Sequence, residues 1–306
     1  MEAAKVLSFP NQATGINPEL IAEWIASTET GERTKQAYLG AVNQLLKAFT
    51  LTGITAPERA DLMAWRADLM ERLSPASVSL YITAVKLFFT WTAQSGIYRN
   101  IATGIKGAKL EKNHKKDYLT ASQARDILLA ASGSRDRAIL TLMLTTGLRC
   151  IEVSRANIDD IRATGGAIVL YVQGKGRTEK AEYVKLSNHA YKSILAYLSS
   201  QDRSAGALFT SASNNSAGLR LTTRAISGIV KNTMKRAGYN SDRLTAHSLR
   251  HTAATLNLLA GGTLQETQQL LRHRNINTTT IYAQNLERMA NQSESRIDIA
   301  IFGDES

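Results

Sequence analysis

The sequence predicts a mainly α-helical fold of two domains, with a small antiparallel β-sheet in the second domain. The chain has 306 residues, more than a single hydrophobic core usually accommodates. Apolar residues recur at helical spacing through the first part of the chain, and two segments rich in β-branched and aromatic residues later flank a glycine-rich turn. The first pattern indicates a helical bundle and the second a β-hairpin.

The first domain, residues 1–105, is predicted to hold four helices. The first helix starts at Asn17, and the second carries an apolar stripe from Tyr38 onwards. The third is expected to begin with a capping box over residues 55–58, and the fourth opens at Ser74. In each case a turn-forming or capping residue, or a helical stripe, marks the element.

The fourth helix carries several aromatic side chains. Its apolar stripe runs from Val78 to Phe89, and Gly96 is expected to end it. Phe88, Phe89 and Trp91 could stack on nucleic-acid bases, but they lie on or beside the stripe. Packing in the core is therefore the favoured interpretation.

A basic linker is predicted over residues 106–117, where the apolar periodicity lapses. Its cations are Lys106, Lys109, Lys112, Lys115 and Lys116. A flexible, lysine-rich segment suits a position near a phosphate backbone, and the alternative is a solvated tether.

The second domain, residues 118–306, is predicted to combine helices with the hairpin. Gly147 ends an apolar helix, and a second short helix follows it. The hairpin strands are predicted over residues 168–172 and 181–186, on either side of the turn QGKGRTEK. Helices are predicted over residues 120–131, 135–145, 188–199, 222–237, 246–260 and 263–272.

The charge of the chain indicates a polyanionic partner. The formal net charge is +11, of which residues 118–306 hold +8, and 17 of the 23 cations there are arginine. Because the arginine fork binds phosphate through paired hydrogen bonds, nucleic acid is favoured over a membrane surface. A moderately basic, solvated surface is the alternative.

Other features of the sequence narrow the class of protein. No signal peptide and no stretch of about 18 apolar residues is apparent, which predicts a soluble, cytoplasmic protein. Cys150 is the single cysteine, so neither an intramolecular disulfide nor a cysteine metal cage can form. We expect Cys150 to fill the core.

An ordered series of six side chains suits the chemistry of a phosphate ester. They are Arg149, Lys175, His247, Arg250, His273 and Tyr282. Singly, each has an ordinary explanation: Lys175 could be a solvated turn residue, and Arg149 could form a structural ion pair with Glu152. His247 and Arg250 share one helix face, and Thr245 at the N-cap would place them near N–H groups that favour an anion.

Together these residues give the chain a resemblance to the tyrosine recombinase (phage integrase) family, in its compact Xer- or Cre-like form without an arm-binding domain. The matching stretches are TGLRCIEV at 146–153, VQGKGRTEKAEYVKLS at 172–187, LTAHSLRHTAATL at 244–256, LLRHRNINTTTIYAQ at 270–284 and, less specifically, RNIATGIK at 99–106. The spacings of 3, 23 and 9 residues along the series from His247 to Tyr282 are similar to those of compact members.

The resemblance implies a two-domain DNA clamp, with a helical core-binding domain before the linker and a catalytic domain after it. It implies site-specific cutting and rejoining of double-stranded DNA at inverted half-sites, through a 3′-phosphotyrosyl intermediate. Integration or excision, resolution and inversion all fit. It further implies a homo-oligomer, a dimer on each site and a tetramer in the synapse, and is compatible with accessory proteins.

The chemistry assigns a role to each member of the series. Without a metal or cofactor, fixed donors must neutralise the phosphorane, and Arg149, Arg250 and His273 suit that task. Tyr282 would attack phosphorus. Lys175 would protonate the leaving 5′-oxygen and His247 would manage the tyrosine proton, while Glu152 would orient the site.

Several positions depart from the family pattern. Gln284 stands where many relatives have histidine, and Ile101 where proline is common. Lys180 rivals Lys175 as the general acid. Arg272 and Arg274 flank His273, where the family often has glycine before the histidine, and they could add phosphate contacts to DNA or only surface charge.

Two other functional classes would use the same scaffold. A type IB-like topoisomerase or telomere resolvase would share the tyrosine, and a noncatalytic DNA-binding regulator would share only the fold. The tail after Tyr282 carries the apolar residues Ile297, Ile299, Ile301 and Phe302. This segment is expected to dock either on a neighbouring protomer or on its own domain.

Overall fold

The computed structural model describes residue 16 and residues 18–109, 117–174, 179–201 and 203–303, with only the backbone at residue 289. The chain divides into two compact units, Met1–Asn113 and His114–Ser306. Each unit has a hydrophobic core of its own.

The first unit is the predicted bundle of four helices. They are α1 (Pro18–Ser27), α2 (Glu32–Leu51), α3 (Arg59–Arg72) and α4 (Pro75–Gln94). Ser74 caps α4 by accepting a hydrogen bond from the Ser77 backbone N–H at 3.3 Å, and Gly96 follows its C-cap at φ +69°. Phe88 and Phe89 are buried, and Trp91 packs against the same core, so the prediction of core packing is confirmed.

The start of α3 differs from the prediction. Glu58 is the N-cap, and its backbone N–H donates to the Asp61 carboxylate at 2.7 Å. The capping box is therefore Glu58 with Asp61, and the expected box over residues 55–58 is wrong. A carboxylate three residues into the helix satisfies the free N–H, which places the cap after Pro57.

Within the described residues, α4 alone has the length and hydropathy of a membrane-spanning helix, with a mean hydropathy of 1.2. The expectation that the sequence contains no apolar stretch of this length is therefore wrong, judged by length and composition alone. Val78, Ile82 and Val85 on α4 are buried in the bundle, where α4 packs against α2 and α3. Core packing accounts for this apolar composition.

The segment after α4 stays attached to the first unit. Ile105 and Ala108 are buried in its core, and the Arg66 guanidinium donates to the Lys106 and Gly107 carbonyls at 2.7 and 3.3 Å. The beginning of the predicted linker is therefore held on the bundle rather than free.

The second unit is mainly helical with one small sheet. Its helices are α5 (Ala121–Leu129), α6 (Ser134–Thr146), α7 (Cys150–Arg155), α8 (Asn188–Leu198), α9 (Thr223–Arg236), α10 (Ala246–Leu259), α11 (Leu264–Leu271), α12 (Asn277–Ala290) and α13 (Ser293–Phe302). Helices α6, α8 and α10 pack together around the core. Cys150 lies partly buried against this core, as expected, and burial raises the pKa of its thiol.

The predicted hairpin belongs to a three-stranded antiparallel sheet in the described part of the chain. Its strands are β1 (Ile161–Thr164), β2 (Ala167–Val172) and β3 (Glu182–Lys185), in that order. Leu170 pairs with Ile161 on one side and Val184 on the other. Sequence patterns missed β1, because it has only four residues and three of them are exposed.

Helices α12 and α13 were also absent from the sequence prediction. Helix α12 begins with Asn277 and three threonines, which have low helix propensity, and its N-cap residue Ile276 makes no side-chain capping hydrogen bond. Helix α12 is instead stabilised by packing against α10 and α11. The local signal therefore fails for the helix that carries Tyr282.

Candidate functional site

The site begins at the sharp break between α6 and α7. Gly147 ends α6 in the left-handed conformation at φ +62°, and its N–H donates to the Met143 carbonyl. Arg149 then stands at the N-cap of α7, with about a third of its side chain exposed. The break places Arg149 at the start of a new helix, where Glu152 accepts hydrogen bonds from both its backbone N–H and its guanidinium.

Arg250 ties this break to a second segment of the unit. Its side chain is 1% exposed, and its Nη1 donates to the Gly147 carbonyl at 2.5 Å while its Nη2 donates to the Leu271 carbonyl. Burial, and then the charge of Arg149, lower the pKa of Arg250 to about 9. The guanidinium therefore remains charged at neutral pH and retains further N–H donors.

Glu152 links the same two segments through a second set of hydrogen bonds. Its carboxylate is 1% exposed and accepts from the Arg149 backbone N–H at 2.7 Å, from Arg149 Nη1 at 3.1 Å and from Arg272 Nη2 at 2.9 Å. Of the two alternatives for Arg272, phosphate contacts or only surface charge, the second is wrong, because its side chain is only 7% exposed and bound to Glu152. Arg274, two residues further on, is exposed.

His273 follows the end of α11 and faces the start of α12. Its Nδ1 lies 2.9 Å from the hydroxyl of Thr279, a fully buried residue. Burial, reinforced by the charges of Arg250 and Arg149, lowers the pKa of His273 to about 4. The ring is therefore neutral at neutral pH in the free protein, in a setting that already contains several cations.

Tyr282 lies one and a half turns into α12 and is 6% exposed. It packs with Ala254 and Leu271 in a small apolar cluster. Burial raises the pKa of its hydroxyl, while the charges of Arg250 and Arg149 act in the opposite direction. The tyrosine thus sits in an apolar pocket within electrostatic reach of both arginines.

His251 is a site residue that sequence reasoning missed. It is buried, its ring centroid lies 4.7 Å from that of His247 in an edge-to-face arrangement, and 5.3 Å from that of Tyr282. His247 and His251 are four residues apart on α10, so they share one helix face. This spacing was available in the sequence, but the position of Tyr282 beside it was not.

The structure brings five of the six predicted residues into one region of the second unit. Lys175 lies outside the described residues, as do Lys112, Lys115 and Lys116. Its rival Lys180 forms an ion pair with Asp160, whose side chain is 8% exposed. Lys106 and Lys109 are exposed in the first unit.

This arrangement suits an anionic, tetrahedral reaction centre. Two guanidinium groups and an imidazole supply hydrogen-bond donors, and the buried Tyr282 side chain packs against Leu271, whose carbonyl accepts from Arg250. Preorganised donors of this kind stabilise developing negative charge without reorganisation. Such an arrangement would suit a nucleophile beside an anion-binding site.

Comparisons with known proteins agree with this geometry. The sequence model of the phage integrase family matches residues 117–289. The chain is 30% identical over 267 residues to tyrosine recombinase XerC of Corynebacterium efficiens, covering 84% of this chain and 80% of the relative. It is 31% identical over 234 residues to tyrosine recombinase XerC of Caldanaerobacter subterraneus subsp. tengcongensis, covering 72% of this chain and 63% of that relative, which is less than two thirds of its length.

Solved structures show the same fold. XerH site-specific recombinase, bound to a palindromic difH substrate in a post-cleavage complex, superposes with a TM-score of 0.69 at 19% identity, over 94% of this chain and 90% of that one. A lambda integrase (75–356) dimer bound to a COC′ core site superposes with a TM-score of 0.67 at 16% identity, over 86% of this chain and 94% of that one.

Proposed function

This chain belongs to the phage integrase family of tyrosine recombinases, and from that membership we propose that it is a site-specific DNA recombinase. It cuts and rejoins double-stranded DNA at core sites with inverted half-sites. The observation that carries the proposal is the position of Tyr282, buried against Leu271, whose carbonyl accepts a hydrogen bond from Arg250.

In the proposed reaction the Tyr282 hydroxyl oxygen attacks the scissile phosphorus. The bond from phosphorus to the 5′-oxygen breaks, and a 3′-phosphotyrosyl bond forms in its place. The 5′-hydroxyl of another strand can reverse this step, because the energy of the phosphodiester is kept in the new bond. No external energy source is needed.

Fixed charges stabilise the transition state. Arg149 and Arg250 donate to the nonbridging oxygens, and His273 adds a further donor. An Nδ1 that accepts from the Thr279 hydroxyl would leave the proton on Nε2, so the neutral ring could still donate. The hydrogen bonds of Arg250 and Glu152 hold the segments that carry these donors in a fixed arrangement.

Two proton transfers complete the step. His247 takes the proton of Tyr282, a role supported by the packing of both rings against His251, which places them in one region. Lys175 protonates the leaving 5′-oxygen. The ion pair of Lys180 with Asp160 supports this preference, because it commits Lys180 to a structural contact.

The partners follow from the same proposal. The chain binds double-stranded DNA through both units, with a core-binding unit over residues 1–105, a basic linker over 106–117 and a catalytic unit over 118–306. It acts as a dimer on each site and a tetramer in the synapse. The exposed apolar residues of α13, with Ile301 66% and Phe302 74% exposed, support docking of this helix on a neighbouring protomer. Its place is the cytoplasm.

The test is capture of the covalent intermediate. Nicked duplexes carrying a core site selected from a random-sequence pool should yield a protein–DNA adduct, since loss of the short leaving strand prevents religation. Tyr282→Phe should abolish the adduct, while Tyr191→Phe removes the same hydroxyl from α8, away from the site, and should preserve it. An adduct that survives in Tyr282→Phe would overturn the assignment of the nucleophile.

Two further arms separate the alternatives. Cleavage should persist in EDTA, because fixed donors rather than a metal carry the charge, and loss of cleavage there would contradict the mechanism. Exchange of strands between two labelled duplexes indicates a recombinase. Relaxation or hairpin sealing without exchange would instead indicate a topoisomerase or resolvase, and binding without any adduct would indicate a regulator.

A further inference from the structure

Arg272 has an unusual backbone conformation. Its φ is +53°, and among the described residues it is the only one other than glycine with a positive φ. It forms the left-handed C-cap of α11, and its backbone N–H donates to the Gln269 carbonyl at 3.0 Å. Glycine adopts this conformation without a Cβ clash, so the arginine is kept at the cost of strain. Strain of this kind indicates that the side chain has a task.

The side chain of Arg272 is buried in an ionic environment. Only 7% of it is exposed; Nη2 lies 2.9 Å from the Glu152 carboxylate, and Nη1 donates to the Leu270 carbonyl at 2.9 Å. The Nε atom is buried and has no hydrogen-bond partner among the residues that the structure describes. A carboxylate within hydrogen-bond distance offsets the charge of a buried guanidinium, and Glu152 is that carboxylate for Arg272.

Glu152 is shared between two arginines. It also binds Arg149 through its backbone N–H and through Nη1 at 3.1 Å. Arg149 and Glu152 alone would form a neutral pair, with little attraction left for a phosphate. With Arg272 included, two positive charges face one negative charge, so the group keeps a net charge of +1.

We propose that Arg272 is a positioning residue that acts through Glu152: it offsets the carboxylate, leaves the charge of Arg149 available to the scissile phosphate, and anchors the turn that presents His273. The inference rests on the proposed recombinase function. It assigns Arg272 an electrostatic role at the reaction centre, in place of a direct contact with DNA.

The first test compares two substrates in single-turnover cleavage. One nicked duplex carries the normal phosphodiester, and the other carries an uncharged methylphosphonate at the scissile position. Arg272→Gly relieves the backbone strain and removes the cation. We expect cleavage of the phosphodiester to fall at least about tenfold and cleavage of the methylphosphonate to fall less than about threefold, because the neutral centre needs one positive charge fewer.

Arg125 provides the matched control. Arg125→Ala removes the same charge from an exposed position on α5 and should alter neither rate. The affinity of Arg272→Gly for uncut half-site DNA, measured by gel shift, should stay within about twofold of the unaltered protein. Equal losses on both substrates, or no loss on either, would overturn the inference.

A rescue experiment covers the case in which Arg272→Gly folds poorly because the buried Glu152 carboxylate loses one of its two cationic partners. Glu152→Gln keeps an oxygen to accept the Arg149 N–H but removes the charge that Arg272 offsets. We therefore expect Glu152→Gln with Arg272→Gly to cleave the phosphodiester within about threefold of Glu152→Gln alone. A double variant more than about tenfold slower than that single variant contradicts the proposal. If the unaltered protein forms no adduct, the proposed function fails first, and that outcome is separate from these ratios.

Discussion

Replacing Gly147 by alanine would test how tightly the two halves of the site are packed. Gly147 has φ +62°, and a Cβ atom there would lie 2.7 Å from Leu271 Cδ2 and 3.6 Å from Ala253 Cβ. Leu271 is fully buried and packs against Tyr282, and its carbonyl accepts from Arg250. The alanine therefore adds backbone strain and a clash at the point where the site segments meet.

The magnitude follows from these two terms. A non-glycine residue in the left-handed conformation costs about 1–2 kcal/mol. Forcing a methyl group into a packed core costs about 1–3 kcal/mol more, so Gly147→Ala should destabilise the second unit by about 2–5 kcal/mol. Gly165 has a similar φ of +56°, and no atom in the described part of the chain lies within 4 Å of an added Cβ. Gly165→Ala should therefore cost only the strain, about 1–2 kcal/mol.

Urea unfolding can measure both variants with an internal reference. All three tryptophans, Trp24, Trp65 and Trp91, lie in the first unit, so their fluorescence follows that unit, whereas far-UV circular dichroism follows both. Gly147→Ala should lower the stability of the second unit while the tryptophan transition moves little. If the two variants agree within about 0.5 kcal/mol, Leu271 gives way freely and the account of a rigid junction is refuted.

Two further predictions concern the histidines. His251→Ala should slow cleavage about tenfold without changing DNA affinity, because the ring that packs against Tyr282 is lost. His251→Phe should recover most of the rate in the same single-turnover assay. Equal rates for the two variants would contradict a positioning role. The pKa of His273 is about 4 in the folded chain and about 6.5 in the unfolded chain, so the free energy of unfolding should fall as the pH drops from 6.5 towards 4. The fall should be less than about 1.4 kcal/mol per pH unit, because the ring is partly exposed. His273→Gln should remove this component of the pH dependence, measured by urea unfolding at several pH values, and an unchanged profile would contradict the assignment.

The sequence predicted the elements whose signals are local. Amphipathic stripes and caps located α1 to α11 closely, and Gly147 was identified as the break before Arg149. The short exposed strand β1 and the threonine-rich start of α12 carry no such signal, because tertiary packing places them. The positions of helices were therefore predictable where a helix has an apolar stripe or a capping residue of its own.

Contacts between distant segments were not predictable in the same way. Arg272 and Arg274 are both cations beside a histidine in the sequence, yet one is buried on Glu152 and the other is exposed. The difference depends on the left-handed turn at the end of α11, which directs Arg272 inwards. His251 was missed for a similar reason: its functional neighbour, Tyr282, comes from a helix that the local pattern did not reveal.

The charges of the site imply that substrate binding changes the chemistry of its own groups. In the free protein, burial and the surrounding cations lower the pKa of His273, while Arg250 and Arg149 lower the pKa of Tyr282 against the effect of burial. A bound phosphate offsets those cations, so the pKa of His273 rises and the imidazole becomes a stronger donor. The same phosphate charge also cancels the lowering of the Tyr282 pKa by the two arginines, so the hydroxyl ionises less readily in the complex. A general base is therefore required in the complex with DNA, which is why the proposed mechanism assigns the tyrosine proton to His247 rather than to spontaneous ionisation.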